Sequence, residues 1–498
     1  MSGNGISITG LGSGLDTNKI IQQLVALEKL PIDALGTQKK TVQSKLSSLG
    51  TFKGLVKDLQ TKARLVSTKK DLLEYNVTPS AEGVATFSAS GFATAGSHSI
   101  KVLTLAAVDR WAFDGVANKD TDLATGAGQQ ISFDVDGTNY SLTVQQDQSN
   151  LQEIANAIND LAGEKVSASV VNTGTTGSPS YKLVLTSDAS GEDQRISNIV
   201  STVGGLTIDA TAPDAQGNAQ SDNNLTVGMN ATAEIDGLLV ERETNEFGDV
   251  LAGVGITATA ADPNKTITFT VEADHAAIKK NVKEFVDAYN KVVGFINTQN
   301  TYSEDQGPGG DLFGDPILRD VKSRIDQALF GVDIDTVAAD TEGYSTLSLV
   351  GIKKQSDGTL LVSDSDLEDK LTTNIDAFAD LFVDRDGFDN GGAIENDPAY
   401  YVDTTADSGL AASLDRAIQR MFNSTKVNDD LTVKGLFDNR KDTYDRDILR
   451  ISKQIDSKTD YLDKFEQQLV QRFAKLEELI GGLNAQGASL SAALNGLS

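Results

Sequence analysis

The sequence predicts an α+β multidomain protein: long N- and C-terminal coiled-coil-like helices form a leg, and a helical stalk domain carries inserted β-rich head domains. Three observations support this class. A heptad pattern lies near the end of the 498-residue chain, and a second helical pattern lies near its start. Between them the sequence changes to short alternating segments separated by Gly, Ser, Thr, Asn and Asp.

The heptad stretch runs from Arg440 to about Ile480 without proline or glycine, roughly 60 Å of helix. Its apolar residues form two rows, each repeating every seven positions, as in a coiled coil. Lys458 and Arg472 interrupt the second row. The two rows together form the contact surface of the coiled coil, which we call the seam, and the two charges predict that helix pairing along it stays weak until a partner covers it. A solvated helix closing a bundle is the alternative. The expected partner-binding residues are Ile448, Ile451, Ile455, Leu462, Phe465, Leu469, Leu476 and Leu479.

The N-terminal region predicts an extended arm and two helices. Residues 1–16 are rich in glycine, but a dinucleotide loop would need a preceding strand and a different glycine spacing. A short helix follows over about 17–30 and is expected to end at Pro31. A longer helical pattern then occupies 42–66.

The middle of the chain begins with a strand at 99–105. Two alternating segments, 131–135 and 140–144, flank Asp136-Gly137 and predict a hairpin. A helix with a Ser149/Gln152 capping box follows. Its expected apolar face is Leu151, Ile154, Ile158 and Leu161. Further strands are expected at 166–170, 181–185, 233–240, 255–260 and 266–271, with a loop over 205–226.

The pattern after Asp274 is mainly helical. Asp274 opens one helix, and Asp315-Pro316 opens another, with proline at the first helical position. A hairpin turns at Asp357-Gly358. Helices are expected over about 366–382 and 410–422.

The net charge of −28 is uneven. Residues 1–76 hold eleven Lys and Arg against six Asp and Glu, whereas 77–274 hold eight against twenty-six. The acidic middle argues against nucleic acid as a partner. Cysteine is absent, no apolar run has the length of a membrane span, and the start lacks signal-peptide features. These signs alone predict a cytoplasmic protein.

No set of residues predicts catalysis or a metal site. His98 and His275 are far apart in the sequence, and Asp134 and Asp136 are expected on the solvent side of a strand. The acidic loop 384–397 misses a calcium-loop pattern at two positions, Phe388 and Asp389. The chain is therefore not expected to be an enzyme or to need a cofactor.

The order of several motifs resembles the flagellar hook-associated protein 2 family, the flagellar filament capping proteins. The opening Ile6–Asp16 and Ile20–Glu28 segments resemble the start of that family. The ββαββ module that ends near Gly191 resembles one found in flagellins and hook-associated proteins. The other matching segments are Thr244-Asn245, Gly253–Ile256, Phe285–Asn290, Gly314-Asp315, Asp357–Leu360 and Arg472–Glu477.

The resemblance implies a ring-like homo-oligomer at the filament tip that promotes flagellin insertion and prevents flagellin loss, without chemistry. It also implies secretion through the flagellar type III channel, which gives an extracellular site to a chain without a signal peptide. The implied partners are flagellin, the hook-filament junction protein and an export chaperone at the C-terminal region, with no nucleic acid or membrane. A secreted adhesin that uses the acidic head is the alternative.

Four domains are expected from this organisation. Residues 1–40 with 440–498 form a terminal leg that is partly disordered when free. Residues 41–76 with 275–439 form the helical stalk domain. Residues 77–128 with 227–274 form one β-rich head domain, and 129–226 form a second, inserted one.

Overall fold

The computed structural model describes residues 16–214, 217–305, 307–331, 344–384, 389–394, 400, 409–428 and 431–495. Residues 1–15 of the expected N-terminal arm and half of the acidic loop 384–397 lie outside these residues. The chain divides into two compact units, a helical unit (1–68 and 279–498) and a β unit (69–278). The predicted α+β multidomain class is confirmed.

Most of the described helices, including the longest, lie in the helical unit. In chain order, the helices within the described residues are α1 (Thr17–Arg64), α2 (Lys69–Leu72), α3 (Leu151–Ala162), α4 (His275–Asn300), α5 (Pro316–Phe330), α6 (Asp364–Thr373), α7 (Ile375–Phe382), α8 (Leu410–Phe422) and α9 (Leu436–Asn495), with a 3₁₀ turn at Leu347–Val350.

The described strands are short and antiparallel. They are β1 (Tyr75–Pro79), β2 (Ala85–Ala89), β3 (Gly96–Thr104), β4 (Val108–Ala112), β5 (Gln129–Val135), β6 (Thr138–Val144), β7 (Val166–Asn172), β8 (Tyr181–Ser190), β9 (Ser197–Ser201), β10 (Asn224–Thr226), β11 (Ala231–Ile235), β12 (Leu238–Arg242), β13 (Val254–Ala258), β14 (Ile267–Ala273), β15 (Tyr302–Ser303), β16 (Gly307–Pro308), β17 (Ile352–Lys354), β18 (Leu360–Val362), β19 (Thr425–Asn428) and β20 (Leu431–Val433).

The β unit contains two hydrophobic cores. The five-stranded sheet β1-β14-β3-β11-β12 and the pair β13-β2 enclose one core, which includes Phe247 and Phe269. The sheets β10-β4-β8-β7 and β6-β5-β9, with α3, enclose the other, which includes Trp111 and Phe133. The chain passes from the first core to the second between β3 and β4, and returns near β11.

Two hairpins of the β unit use the same turn. The predicted Asp136-Gly137 turn between β5 and β6 is confirmed, with φ values of 47° and 68°. Asp236-Gly237 between β11 and β12 adopts the same conformation, with φ values of 51° and 80°. Positive φ at both positions matches the twist of paired strands, and Asp and Gly tolerate it well.

The predicted break at Pro31 is wrong, because α1 continues through it as one 48-residue helix. Proline removes one backbone hydrogen bond and strains the preceding turn. The helix packs on α9, and these tertiary contacts offset the local cost.

Three other expected boundaries are also wrong. The helix expected over 366–382 is split at Asn374, whose side chain accepts a hydrogen bond from Ala377 N and so starts α7. The capping box of α3 uses Asn150 and Glu153, one residue later than expected. The last helix continues past Ile480 to Asn495.

Candidate partner-binding site on the terminal helices

The first and last helices of the described chain run antiparallel. Lys53 Nζ of α1 lies 2.7 Å from Asp438 Oδ1 of α9. Further along, residues 31–38 of α1 face residues 446–458 of α9 across a groove. Residue numbers therefore rise along α9 as they fall along α1. Continued at 1.5 Å per residue, this register places Ile21 about level with Leu469, and both side chains are buried.

The expected partner-binding residues of α9 differ in exposure. Ile451 and Leu469 are buried. Ile448, Ile455, Leu462 and Phe465 are half-buried, whereas Leu476 and Leu479 are exposed. The charged positions Lys458 and Arg472 are exposed as well. The heptad rows therefore follow the interface with α1 as far as Leu469.

Beyond Leu469 the less exposed residues of α9 no longer belong to the two heptad rows. Phe473 and Ile480 are half-buried, while Leu476 and Leu479 project into solvent. A straight helix drifts by about 20° per heptad against a strict seven-residue repeat. Over several heptads this drift moves the original rows away from the neighbouring helix.

The final part of α9 carries an exposed apolar row, which we call the leucine row. Its members are spaced by three, four or seven residues and are 41–63% exposed: Leu476, Leu479, Leu483, Leu490 and Leu494. The register brings the start of α1 level with about residues 470–475 of α9. An exposed apolar stripe of this kind is a candidate surface for contact with another protein.

The opposite end of α9 is anchored in a cluster of aromatic rings. Phe52 of α1 stacks on Phe295 with ring centroids 5.2 Å apart and contacts Phe437 at 5.7 Å. Phe437 in turn stacks on Phe422 at 5.2 Å. Phe52 and Phe437 are fully buried, so this cluster fixes the start of α9 against α1, α4 and α8.

A buried carboxylate adds a second anchor. Asp315 caps α5 by accepting a hydrogen bond from Ile317 N at 3.1 Å. Its other oxygen accepts from Arg440 Nε at 3.0 Å and from the hydroxyl of Tyr444. Burial, together with the contact with the Asp315 carboxylate, raises the pKa of Tyr444 to about 12. The three side chains tie α9 to the N-terminus of α5.

Sequence reasoning missed this anchor, although a signal was present. Phe437 and Tyr444 precede Ile451 by fourteen and seven residues. They therefore continue the second heptad row towards the N-terminus, past the point where the pattern was taken to begin. The role of Asp315 as an ion-pair partner carries no local signal, because Arg440 is 125 residues away.

The residues considered for chemistry take structural roles. Asp384 pairs with Arg416 at 2.8 Å, and both side chains are largely buried. Asp134 accepts hydrogen bonds from Asn139 and Asn198, which lower the pKa of its carboxyl. Within the described ranges, no cluster of three or more His, Cys, Asp or Glu has the arrangement of a metal site. The helices described also include none with the length and hydropathy of a membrane span.

Comparison with known proteins gives consistent matches. The family model for the flagellar hook-associated protein 2 C-terminus matches residues 228–485, and that for the N-terminus matches 13–109. The A-type flagellar hook-associated protein 2 of Pseudomonas aeruginosa is 26% identical over 99% of this chain and 98% of its own length. The B-type protein of a P. aeruginosa strain is 30% identical over 77% of this chain and 81% of its own.

A solved structure has a similar fold. The crystal structure of the D1-D2-D3 domains of the flagellar cap protein FliD from Escherichia coli superposes with a TM-score of 0.63. The match covers 80% of this chain and 99% of that one, at 21% sequence identity.

Proposed function

The chain belongs to the flagellar hook-associated protein 2 family and is a filament-cap protein. From this premise we propose that its paired terminal helices are the part that engages the filament end. The cap is a structural homo-oligomer at the distal end of the bacterial flagellum. It promotes the ordered insertion of flagellin and prevents its loss. Family membership favours this function over the adhesin that the sequence left open.

The observation that carries the proposal is the contrast along α9. One end is anchored by buried aromatic rings and an ion pair, and the other end presents the leucine row. A helix with an exposed apolar row can lay that row into a groove of a partner subunit. Of the expected partner-binding residues, Leu476 and Leu479 are exposed and are proposed for direct contact. The others are proposed to hold α9 on α1: Ile448, Ile451, Ile455, Leu462, Phe465 and Leu469.

Three finer points belong to the same proposal. The protein is secreted through the flagellar export channel, and an export chaperone binds the C-terminal region, where the leucine row is accessible. The base of the filament contributes a further partner, the hook-filament junction protein. The four-part division into leg, stalk domain and two head domains remains our proposal for the domain organisation.

A double substitution in the seam tests the function. Leu462→Asp with Leu469→Asp places two charges where α9 meets α1. The lost burial costs about 1.5–3 kcal/mol at buried Leu469 and less at half-buried Leu462, and desolvation of the new charges adds to it. Cells with this variant should grow few filaments and release flagellin monomers into the medium. Filament counts by electron microscopy and flagellin in the culture supernatant measure this.

The matched control is Gln467→Asp with Gln471→Asp, which adds the same charges at exposed positions of α9. This control should support normal filaments. The thermal transition of the β unit should be unchanged in both variants. Filaments of normal length in the Leu462/Leu469 variant would remove the seam from the mechanism.

A further inference from the structure

A groove of about 970 Å³ lies between α1 and α9, on a side of the pair separate from the leucine row. Its floor is apolar and includes Pro31, Ala34 and Leu35 from α1 and Leu449 from α9. The remaining lining residues are polar or charged: Gln38, Arg446, Arg450, Lys453, Gln454, Ser457 and Lys458.

Short side chains on α1 leave this groove open. Pro31 and Ala34, which have short side chains, line it on the α1 side, and Leu449 on the α9 side is 57% exposed. Ile451 lies two residues further along, about 200° around the helix axis from Leu449, and is buried. The groove is therefore a gap in helix packing that a third helix would fill.

The groove is also positively charged. Among the described residues that line it, four are cationic and none is a carboxylate. Arg450 forms an exposed pair with Asp447 at 3.0 Å, outside the lining. Lys453 and Lys458 are exposed. A cationic face stands out in a chain with a net charge of −28 and indicates an acidic partner.

We propose that this groove binds an amphipathic α-helix that has an apolar ridge and acidic flanks and belongs to a subunit arriving at the filament end. The ridge packs on Leu35 and Leu449, and the flanks pair with Arg450 and Lys453. The lined stretch of α9, residues 446–458, is about 18 Å long and accommodates roughly three helical turns. The proposal rests on the cap function, which supplies the partner.

A second copy of this chain is a poor occupant. Its exposed leucine row begins at Leu476, and the centre of that row lies roughly 50 Å along α9 from the centre of the groove. In a closed ring, equivalent residues of neighbouring copies share one level along the axis. If α9 runs along the ring axis, the leucine row of one copy therefore cannot reach the groove of the neighbouring copy.

Two synthetic helical peptides test the proposal on the purified full-length protein. Both carry leucines at i, i+3 and i+7; one has glutamates on the flanks and the other has lysines. Fluorescence anisotropy should show binding of the glutamate peptide, weakened by salt, and little binding of the lysine peptide. Arg450→Glu with Lys453→Glu should lower the affinity for the glutamate peptide about tenfold or more and reverse the preference.

The matched control is Lys464→Glu with Lys475→Glu, the same charge change at exposed positions of α9 outside the groove and outside both heptad rows. It should leave glutamate-peptide binding unchanged. Equal binding of the two peptides, an equal loss in the control, or equal binding of an anionic vesicle of phosphatidylglycerol would overturn the proposal. Far-UV circular dichroism checks that each variant keeps its helix content.

Complementation of a strain that lacks the chain separates this proposal from the cap function. The Arg450/Lys453 variant should leak flagellin, while the Lys464/Lys475 control should not. If the groove variant caps normally, the groove proposal fails and the cap function stands. If the unaltered chain binds the peptide but does not restore filaments, the cap function fails instead.

Discussion

The two ends of α9 differ in what holds them. The N-terminal end, residues 436–451, contacts α1, α5 and α8 through buried rings and the Asp315 ion pair. The C-terminal end, residues 476–495, exposes the leucine row and contains Gly481, Gly482 and Gly487. Glycine lowers helix stability by up to about 1 kcal/mol per residue.

The comparison indicates that the two ends of α9 have different roles, one in folding and one in assembly. The anchored end derives its stability from tertiary contacts inside the helical unit. The far end has few such contacts among the described residues and an apolar surface suited to a partner. Loss of anchored residues should therefore affect folding, whereas loss of the leucine row should affect assembly alone.

The largest effect is expected from Phe52→Ala. Phe52 is fully buried between Phe295 and Phe437, so the substitution removes a ring from the centre of the cluster. The helical unit should lose about 3–5 kcal/mol of unfolding free energy, measured by urea denaturation of the full chain. Phe92→Ala, at a 60% exposed ring of the β unit, is the control and should cost less than about 0.5 kcal/mol.

Asp315→Asn should have the next largest effect. It removes the buried negative charge that faces Arg440 and Tyr444, while the amide can still cap α5. Because the Arg440 guanidinium is partly exposed, we expect a loss of about 2–4 kcal/mol rather than the full cost of a broken buried pair. Asp447→Asn breaks the exposed pair with Arg450 and should change stability by at most about 1 kcal/mol. Equal losses would show that burial of Asp315 is unimportant.

Tyr444→Phe should cost about 1 kcal/mol at neutral pH, through loss of one hydrogen bond. The pKa of Tyr444 is raised to about 12 in the folded chain, above the ordinary phenol value. The folded state therefore keeps the proton more tightly, and this contribution is present below about pH 10 and is lost as the pH rises towards 12. The stability gap between the original chain and the variant should narrow above pH 10 in urea titrations. A constant gap would contradict the burial of this hydroxyl.

The smallest effect on folding is expected from Leu483→Ser with Leu490→Ser. Both leucines are exposed, so the unfolding free energy of the purified monomer should change by less than about 0.5 kcal/mol. Calorimetry of the monomer measures this, and filament assembly in cells should be impaired. A large drop in monomer stability would place the leucine row against another part of the same chain.

Local sequence signals predicted many elements correctly. The Asp136-Gly137 turn and the helix starts at Asp274 and Asp315-Pro316 are confirmed. Each depends on residues within a few positions of one another. The helix break expected at Pro31 was wrong because the proline lowers helix stability locally, whereas the packing that offsets this loss comes from α9, which is distant in the sequence.

The candidate site was only partly predictable. The heptad rows identified the face of α9 that meets α1, and the same rows extend back to Tyr444 and Phe437. Exposure along those rows was not predictable, because it depends on where α1 begins and on the drift of a straight helix. The basic groove depends on two helices from opposite ends of the chain, so neither helix shows it alone.

The sequence by itself determined the helical ends, the β-rich middle and the order of motifs that identifies the family. These follow from hydrophobic periodicity, turn chemistry and capping, which act within short segments. Only the tertiary structure decided that Asp315 meets Arg440 and Tyr444, that α1 passes straight through Pro31 and that the leucine row stays exposed. These features depend on contacts between residues that are distant in the sequence. The free energies of such contacts cannot be predicted from a local sequence pattern.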